Sequence, residues 1–344
     1  MTSPRISVVM TVYNGERHLP SAVESILRQS FSDFEFIIVN DGSTDGSRAI
    51  LDDFAARDRR MKVIDQPNAG LTKALQRGCC AATGEFIARQ DADDWSHPQR
   101  LERVVQLLDS CSAASMAGSW ALHIDDDGEI VDRVQPPADP QEATRRLLHD
   151  CCGPPAHGTM LVRRSAYEQV GGYRTCFYYA QDSDLWLRLA QIGLVAYVPE
   201  ELYHARLSPA SISGSRSDWQ LQFGELGRLA HAARMRGESD EPLVNRALRL
   251  RQELLERQAA ISDINCQQSG AHYRIGTCLS RRDSPRARYH FWAAIRLNPL
   301  HWRSWCRLGF ELIRRPFLRR PANACDATVS HTIGSTTVSG HERK

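Results

Sequence analysis

No stretch of this chain is apolar for long enough to cross a bilayer. Met1 leads almost directly into Ile6-Ser7-Val8-Val9-Met10 with no basic-then-apolar leader, so neither a signal peptide nor a span is expected there. An excess of charge is missing too. The 43 Lys and Arg face 41 Asp and Glu, a net of +2, which gives no global basic field for nucleic acid. The ten cysteines contain no C-x-x-C and include the neighbours Cys79-Cys80 and Cys151-Cys152. That pattern suits neither a secreted disulfide framework nor a zinc site, and reduced thiols in a cytoplasmic protein are expected. A Gly-rich, basic phosphate loop near the start is also absent, which counts against a nucleotidyltransferase.

What is present is an acidic burst at the end of an apolar run. Glu85-Phe86-Ile87-Ala88 leads into Arg89-Gln90-Asp91-Ala92-Asp93-Asp94-Trp95. Ionised carboxylates resist desolvation unless something positive sits beside them. Hard oxygen ligands at the end of a strand suit Mg²⁺ or Mn²⁺ sharing its sphere with substrate phosphates. An acidic, solvated turn would look the same in isolation.

The first half of the 344 residues supplies the context. Residues 6–10, 34–39, 61–64 and 86–88 read as strands. Helical spacing at Leu19, Val23, Ile26 and Leu27, then around residues 49–51 and 71–80, separates them. Such alternation predicts an α/β fold with a mostly parallel sheet and helices on both faces. Ligands of such sheets bind beyond the carboxyl ends of the strands. The polar clusters at residues 11–14, 40–45 and 91–94 fall at such ends.

These segments carry a resemblance. Val8-Val9-Met10-Thr11-Val12-Tyr13-Asn14, Val39-Asn40-Asp41-Gly42-Ser43-Thr44-Asp45, Asn68-Ala69-Gly70-Leu71 and Ala88-Arg89-Gln90-Asp91-Ala92-Asp93-Asp94 occur in that order. Together they resemble the inverting, nucleotide-sugar-dependent glycosyltransferases of family 2, which have the GT-A fold. The likeness covers roughly residues 5–215. It implies a nucleotide pocket in residues 1–110 and an acceptor half in residues 111–215. Thr11, Tyr13, Asn14, Asp41, Lys73 and Asp91 become the candidate donor-binding residues. Tyr13 would lie against the base, Asp41 on its edge, Asp91 at the ribose or metal, and Asp93 on the metal. Lys73 and Arg89 are the nearest cations for phosphate. A UDP-sugar is favoured by family habit.

In the second half, His157-Gly158-Thr159-Met160-Leu161-Val162-Arg163-Arg164 resembles the family's strand that starts at a histidine, and His157 becomes a donor or acceptor contact. Gln181-Asp182-Ser183-Asp184 opens a helix. A carboxylate there suits the helix N-terminus in any protein. In the family a Glu-Asp pair stands here, and its aspartate is the base that inverting transfer requires. The resemblance therefore makes Asp182 the catalytic residue, with Gln181 replacing the companion acid. Tyr203-His204-Ala205-Arg206-Leu207-Ser208 departs similarly, because Ser208 stands where a histidine is expected and His204 is shifted. Asp125-Asp126-Asp127-Gly128, by contrast, lies between two strand-like runs and reads as a hairpin turn.

The last third changes character. Residues 216–320 read as a helical appendage with one Asn298-Pro299 joint, arginine-rich and interleaved with Trp and Phe; residues 321–344 lack apolar periodicity and read as a disordered tail. A basic, aromatic face is compatible with a solvated helix pair or with peripheral contact on the inner face of the plasma membrane. The implied activity is inverting, Mg²⁺- or Mn²⁺-dependent transfer to a saccharide or lipid-linked saccharide in cell-surface polysaccharide synthesis. An inactive nucleotide-sugar-binding or scaffold protein is the alternative.

Overall fold

Every residue of Ile6–Val12 (β1) and Phe34–Asn40 (β2) is buried, as strands covered on both faces must be. In the computed structural model, which describes residues 3–208, 218–258 and 264–314, alternate side chains separate cleanly. Ile6, Val8, Met10 and Val12 join Phe34, Phe36 and Ile38 in one core. Val9 points the other way, into a core with Leu75, Met116 and Leu185. The helices Leu19–Leu27 (α1), Ser47–Arg57 (α2) and Leu71–Cys80 (α3) connect β1, β2, Met61–Asp65 (β3) and Phe86–Asp91 (β4). These four strands run parallel in the order β3-β2-β1-β4.

The sheet then continues with mixed polarity. Trp95–Ser96 (β5) and Arg100–Ser110 (α4) precede the long strand Ala114–Ile124 (β6). Ile130–Val134 (β7) returns antiparallel to β6, with Asp125–Gly128 as the turn, as the sequence predicts. After Pro140–Asp150 (α5) come Leu161–Arg163 (β8), Arg164–Gln169 (α6), Gln181–Ala190 (α7) and Leu194–Arg206 (β9). The full order is β3-β2-β1-β4-β8-β6-β9-β5, with β7 on β6. The strand expected over residues 157–164 is shorter. His157–Thr159 is a 3-10 turn, only β8 pairs, antiparallel to β4 and β6, and Arg164 already starts α6.

Beyond the sheet lie Asp218–Met235 (α8), Glu241–Gln258 (α9), Ile264–Arg281 (α10), Ala287–Leu297 (α11) and Trp302–Arg314 (α12). Helices α8 and α9 pack with Cys176 and Phe177. Helices α10 and α11 pack on Val131 of β7. Arg286, just before α11, reaches Asp125, Asp127 and Glu129 of the hairpin. The boundary expected near residue 215 and the tail after residue 320 lie outside the described residues.

Candidate active site

Parallel pairing aligns the carboxyl ends of β1, β2 and β4: Thr11 is opposite both Val39 and Asp91. Thr11 itself is buried in the strand. The loops that follow are laced together. Asn14, in the left-handed region at φ 52°, accepts the Thr44 N–H at 2.8 Å and donates its own to Ser43 Oγ at 3.0 Å. Glu16 accepts from Gly46 N at 2.7 Å and donates to Asp45 at 3.1 Å. Asn14 thus braces the loops that follow β1 and β2 against each other. Tyr13, beside it, is 53% exposed and presents an open ring.

Asp41 is buried, and both of its oxygens are occupied. Oδ1 accepts from Gln66 Nε2 at 2.6 Å and Ala69 N at 2.9 Å, and Oδ2 accepts from Gly70 N at 2.9 Å. Its carboxylate shapes the 66–70 loop, which is one step removed from the direct base contact that the resemblance implies. Lys73 is exposed on α3 and makes no ion pair among the described residues. Arg89 is not a free phosphate cation. It is buried, donates to the Gln90 carbonyl, and pairs through Nη2 with Asp91 Oδ1 at 2.6 Å.

The acids after β4 are held where their charges oppose one another. Burial, then the charge of Asp91, pushes Asp93 up to about 6, with Arg206 and Arg89 only partly offsetting them. Asp94 is also raised well above the usual range by burial and by Asp93 and Asp91. Arg206 braces this turn. Its N–H donates to Asp94 Oδ1 at 2.7 Å, its Nε to the Asp93 carbonyl at 3.1 Å, and its Nη1 to the Asp125 and Asp126 carbonyls at 2.8 and 2.9 Å. Among the described residues no group of three or more His, Cys, Asp or Glu is arranged as a metal cage. Asp91 and Asp93, two carboxylates at the end of β4, instead fit a Mg²⁺ or Mn²⁺ that would complete its sphere with water and substrate phosphate.

Sequence reasoning missed the buried support under this turn. Arg100 is fully buried, donates to the Gly158 carbonyl at 2.7 Å and to Gln90 Oε1 at 3.4 Å, and lies 5.4 Å from the Tyr203 ring centre. Burial lowers it to about 10. Tyr203 Oη accepts the Asp91 N–H at 3.3 Å. A Cβ on Gly158 would sit 1.7 Å from that oxygen, so only glycine fits beside His157. The available signal was a charge on an apolar stripe, because Arg100 shares its helix face with Leu101, Val104 and Leu108.

His157 and the acids of α7 come from elsewhere in the chain. His157 Nε2 lies 2.6 Å from Tyr173 Oη, and its ring meets Trp186 edge-on at 5.8 Å. Burial, with Arg89 nearby, holds it well below its usual value, hence neutral. The two acids of α7 separate by environment. Asp184 is completely buried and paired with Arg188 at 2.7 Å and Arg174 at 3.5 Å. Asp182 makes no ion pair among the described residues and accepts from Ser183 N at 2.7 Å. Burial raises its pKa, and the charge of Asp91 adds to the effect. Gln181 is buried beside it. A cavity of about 210 Å³ opens between α7 and α8, lined by Ala180, Ser183 and Trp186 and, from α8, Leu221 and Arg228. His204 lies against Trp95, with ring centres 4.8 Å apart. Residues 209–217, which follow Ser208, lie outside the described residues.

Comparison with known proteins follows this geometry. The profile of the family described as Glycosyl transferase family 2 matches residues 7–171. A Bacillus subtilis protein named "Putative glycosyltransferase EpsE" is 37% identical over 210 residues, covering 60% of this chain and 74% of its own length. In fold, the chain is similar to Staphylococcus aureus TarS residues 1–349, solved in complex with UDP. That match has a TM-score of 0.54 and 17% identity, and covers 89% of this chain and 88% of that one. It is also similar to the mannosyltransferase PcManGT from Pyrobaculum calidifontis, solved with GDP-Man and Mn²⁺. Here the TM-score is 0.51 and the identity 18%, over 91% and 86% of the two chains.

Proposed function

This chain belongs to glycosyltransferase family 2, with the GT-A fold, and from that premise we propose that it catalyses inverting, divalent-cation-dependent transfer from a nucleotide-diphospho-sugar. The observation that carries the proposal is that Asp182, at the start of α7, lies within the electrostatic reach of Asp91 at the end of β4. Asp91 is balanced by Arg89, but Asp93 and Asp182 make no ion pair among the described residues, unlike Asp184, which is held by Arg188 and Arg174.

In this reading the base of the donor lies on Tyr13, within the loops braced by Asn14 and Asp41, with Thr11 at the floor and Lys73 at the rim. Asp91 approaches the ribose, and Asp93, with Asp91, is the ligand set for Mg²⁺ or Mn²⁺. When bound, the cation neutralises charge on the leaving diphosphate. Asp182 takes the acceptor hydroxyl proton while that oxygen attacks the anomeric carbon and the diphosphate departs from the opposite face. An α-linked donor thereby gives a β-linked product. The raised pKa of Asp182 suits a base, because stronger proton affinity increases the driving force for abstraction. A UDP-sugar is the proposed donor. The proposed acceptor is a saccharide or lipid-linked saccharide of cell-surface polysaccharide synthesis, entering past Ser183 and Trp186.

Gln181, buried where the family carries an acid, favours a second reading: a protein that binds nucleotide-sugar without turnover. The test is nucleotide release from UDP-, GDP- and dTDP-sugars with Mn²⁺, with Mg²⁺ and with chelator, and NMR of the product's anomeric proton. Metal-dependent release of one nucleotide, lost in Asp93→Ala, and an inverted product are expected. Donor binding without turnover in the presence of acceptors supports the second reading. No donor binding at all refutes both.

A further inference from the structure

Helix α12 is packed inside out. Its most buried residues are polar: Ser304, and Glu311 at 2% exposure, whose carboxylate accepts from Ser280 Oγ. Leu308 packs on the α10–α11 core, but the other large apolar residues face outward, with Trp302 66% and Ile313 84% exposed, and Leu300, in the preceding turn, is 88% exposed. At about 100° per residue, the sector from Leu312 through Trp305, Trp302 and Ile313 to Phe310 spans about 160° and contains no charge. Arg303, Arg307 and Arg314 form the border beside Phe310 over roughly the next 60°.

Charge points to the occupant. Residues 264–314 contain nine arginines against two acids, Asp283 and Glu311. Glu311 is buried, and Asp283 is already paired with Arg314 at 3.0 Å. Arg303 and Arg307 make no ion pair among the described residues. Antiparallel two-fold pairing with a second copy would set this cationic border against itself. Residues 321–344 are poorly suited to cover the sector, since they hold no aromatic residue and only Val329, Ile333 and Val338 as large aliphatics. No helix among the described residues is long and apolar enough to cross a membrane.

We propose that α12 lies in the plane of an anionic bilayer surface, with Trp302, Trp305, Phe310 and Ile313 in the boundary between headgroups and acyl chains and Arg303 and Arg307 on lipid phosphates. Tryptophan suits that boundary, and in-plane helices combine such an apolar sector with flanking arginines. The placement serves the active-site end of the sheet. Arg286 anchors the helices to the β6–β7 turn, and Arg206 bonds the same turn to Asp93 and Asp94.

The test is co-sedimentation of the full chain with phosphatidylcholine vesicles, with and without phosphatidylglycerol. Binding to the anionic vesicles is expected. It should fall about tenfold or more in Trp302→Ser/Ile313→Ser, and Arg303→Gln/Arg307→Gln should lose the preference for phosphatidylglycerol. Melting temperature and nucleotide release should be unchanged in both, which separates this proposal from failure of the catalytic one. A wild type that ignores anionic vesicles overturns the proposal, as does binding that survives the Trp302/Ile313 change. A dimer in light scattering that the same change dissolves, without vesicle binding, assigns the face to a second copy.

Discussion

Replacing Asp182 with asparagine separates the two roles open to an acid at the start of α7. As the second residue of the helix, a carboxylate with only an electrostatic role would stabilise the fold by about 0.3–1 kcal/mol, and its loss would lower the melting temperature. The structure argues for the opposite sign, because burial is the largest influence on Asp182 and raises its pKa. An acid whose folded pKa lies above its unfolded value costs stability once both states are ionised. That cost is absent when both are protonated, below the ordinary value of 3.8. Asp182→Asn keeps the oxygen that accepts from Ser183 N and removes the buried charge. At pH 7 the variant should therefore melt higher than wild type, with the gain vanishing in acid. Its kcat should fall about 100- to 10,000-fold, or about 3–5.5 kcal/mol of barrier, because a positioned base is lost. The donor KM should change little. The wild-type rate should fall as pH drops through the raised pKa. Melting curves at pH 3 and 7 with initial rates of nucleotide release decide the matter. A variant that melts lower and still turns over would refute the assignment.

Three further outcomes follow from the geometry. Gly158→Ala drives a methyl into Tyr203, which has no exposed side to move toward, and should cost at least about 1–3 kcal/mol with parallel loss of turnover; unchanged melting and rate would discount this contact. Asp184→Asn leaves Arg188 buried without its partner and should cost about 3–5 kcal/mol in denaturant midpoint, whereas equal stability would show that the pair is dispensable. Tyr13→Ala should leave stability within about 0.5 kcal/mol of wild type, because the ring is half exposed, while raising the donor KM about tenfold; an unchanged KM would remove Tyr13 from the base site.

Local pattern explains why much of the fold was legible. Buried parallel strands are mostly apolar runs ending in turn residues, so residues 6–10 and 34–39 stand out against the helical spacing of residues 71–80. Asp125–Gly128 carried its hairpin in its own composition. The turn residues that end these runs put Thr11, Asp41 and Asp91 at the aligned carboxyl ends of β1, β2 and β4, with Asp93 just beyond. The strand at His157 was overread, because Gly158 gives way under Tyr203, a residue 45 positions away that no local rule could supply.

The sequence by itself determined which segments are strands and helices and which polar clusters terminate them, since those follow from periodicity and turn chemistry within a few residues. Only the tertiary structure decided what each charge does. Asp182 and Asp184 are two residues apart and alike in sequence, yet one is clamped between Arg188 and Arg174 and the other is left ionisable in the field of Asp91. Arg89 neutralises Asp91, Arg206 ties the acidic turn to a distant hairpin, and α12 turns its apolar side outward. Burial and Coulomb interactions depend on what surrounds a group in space, and the chain assembles those surroundings from residues far apart along it.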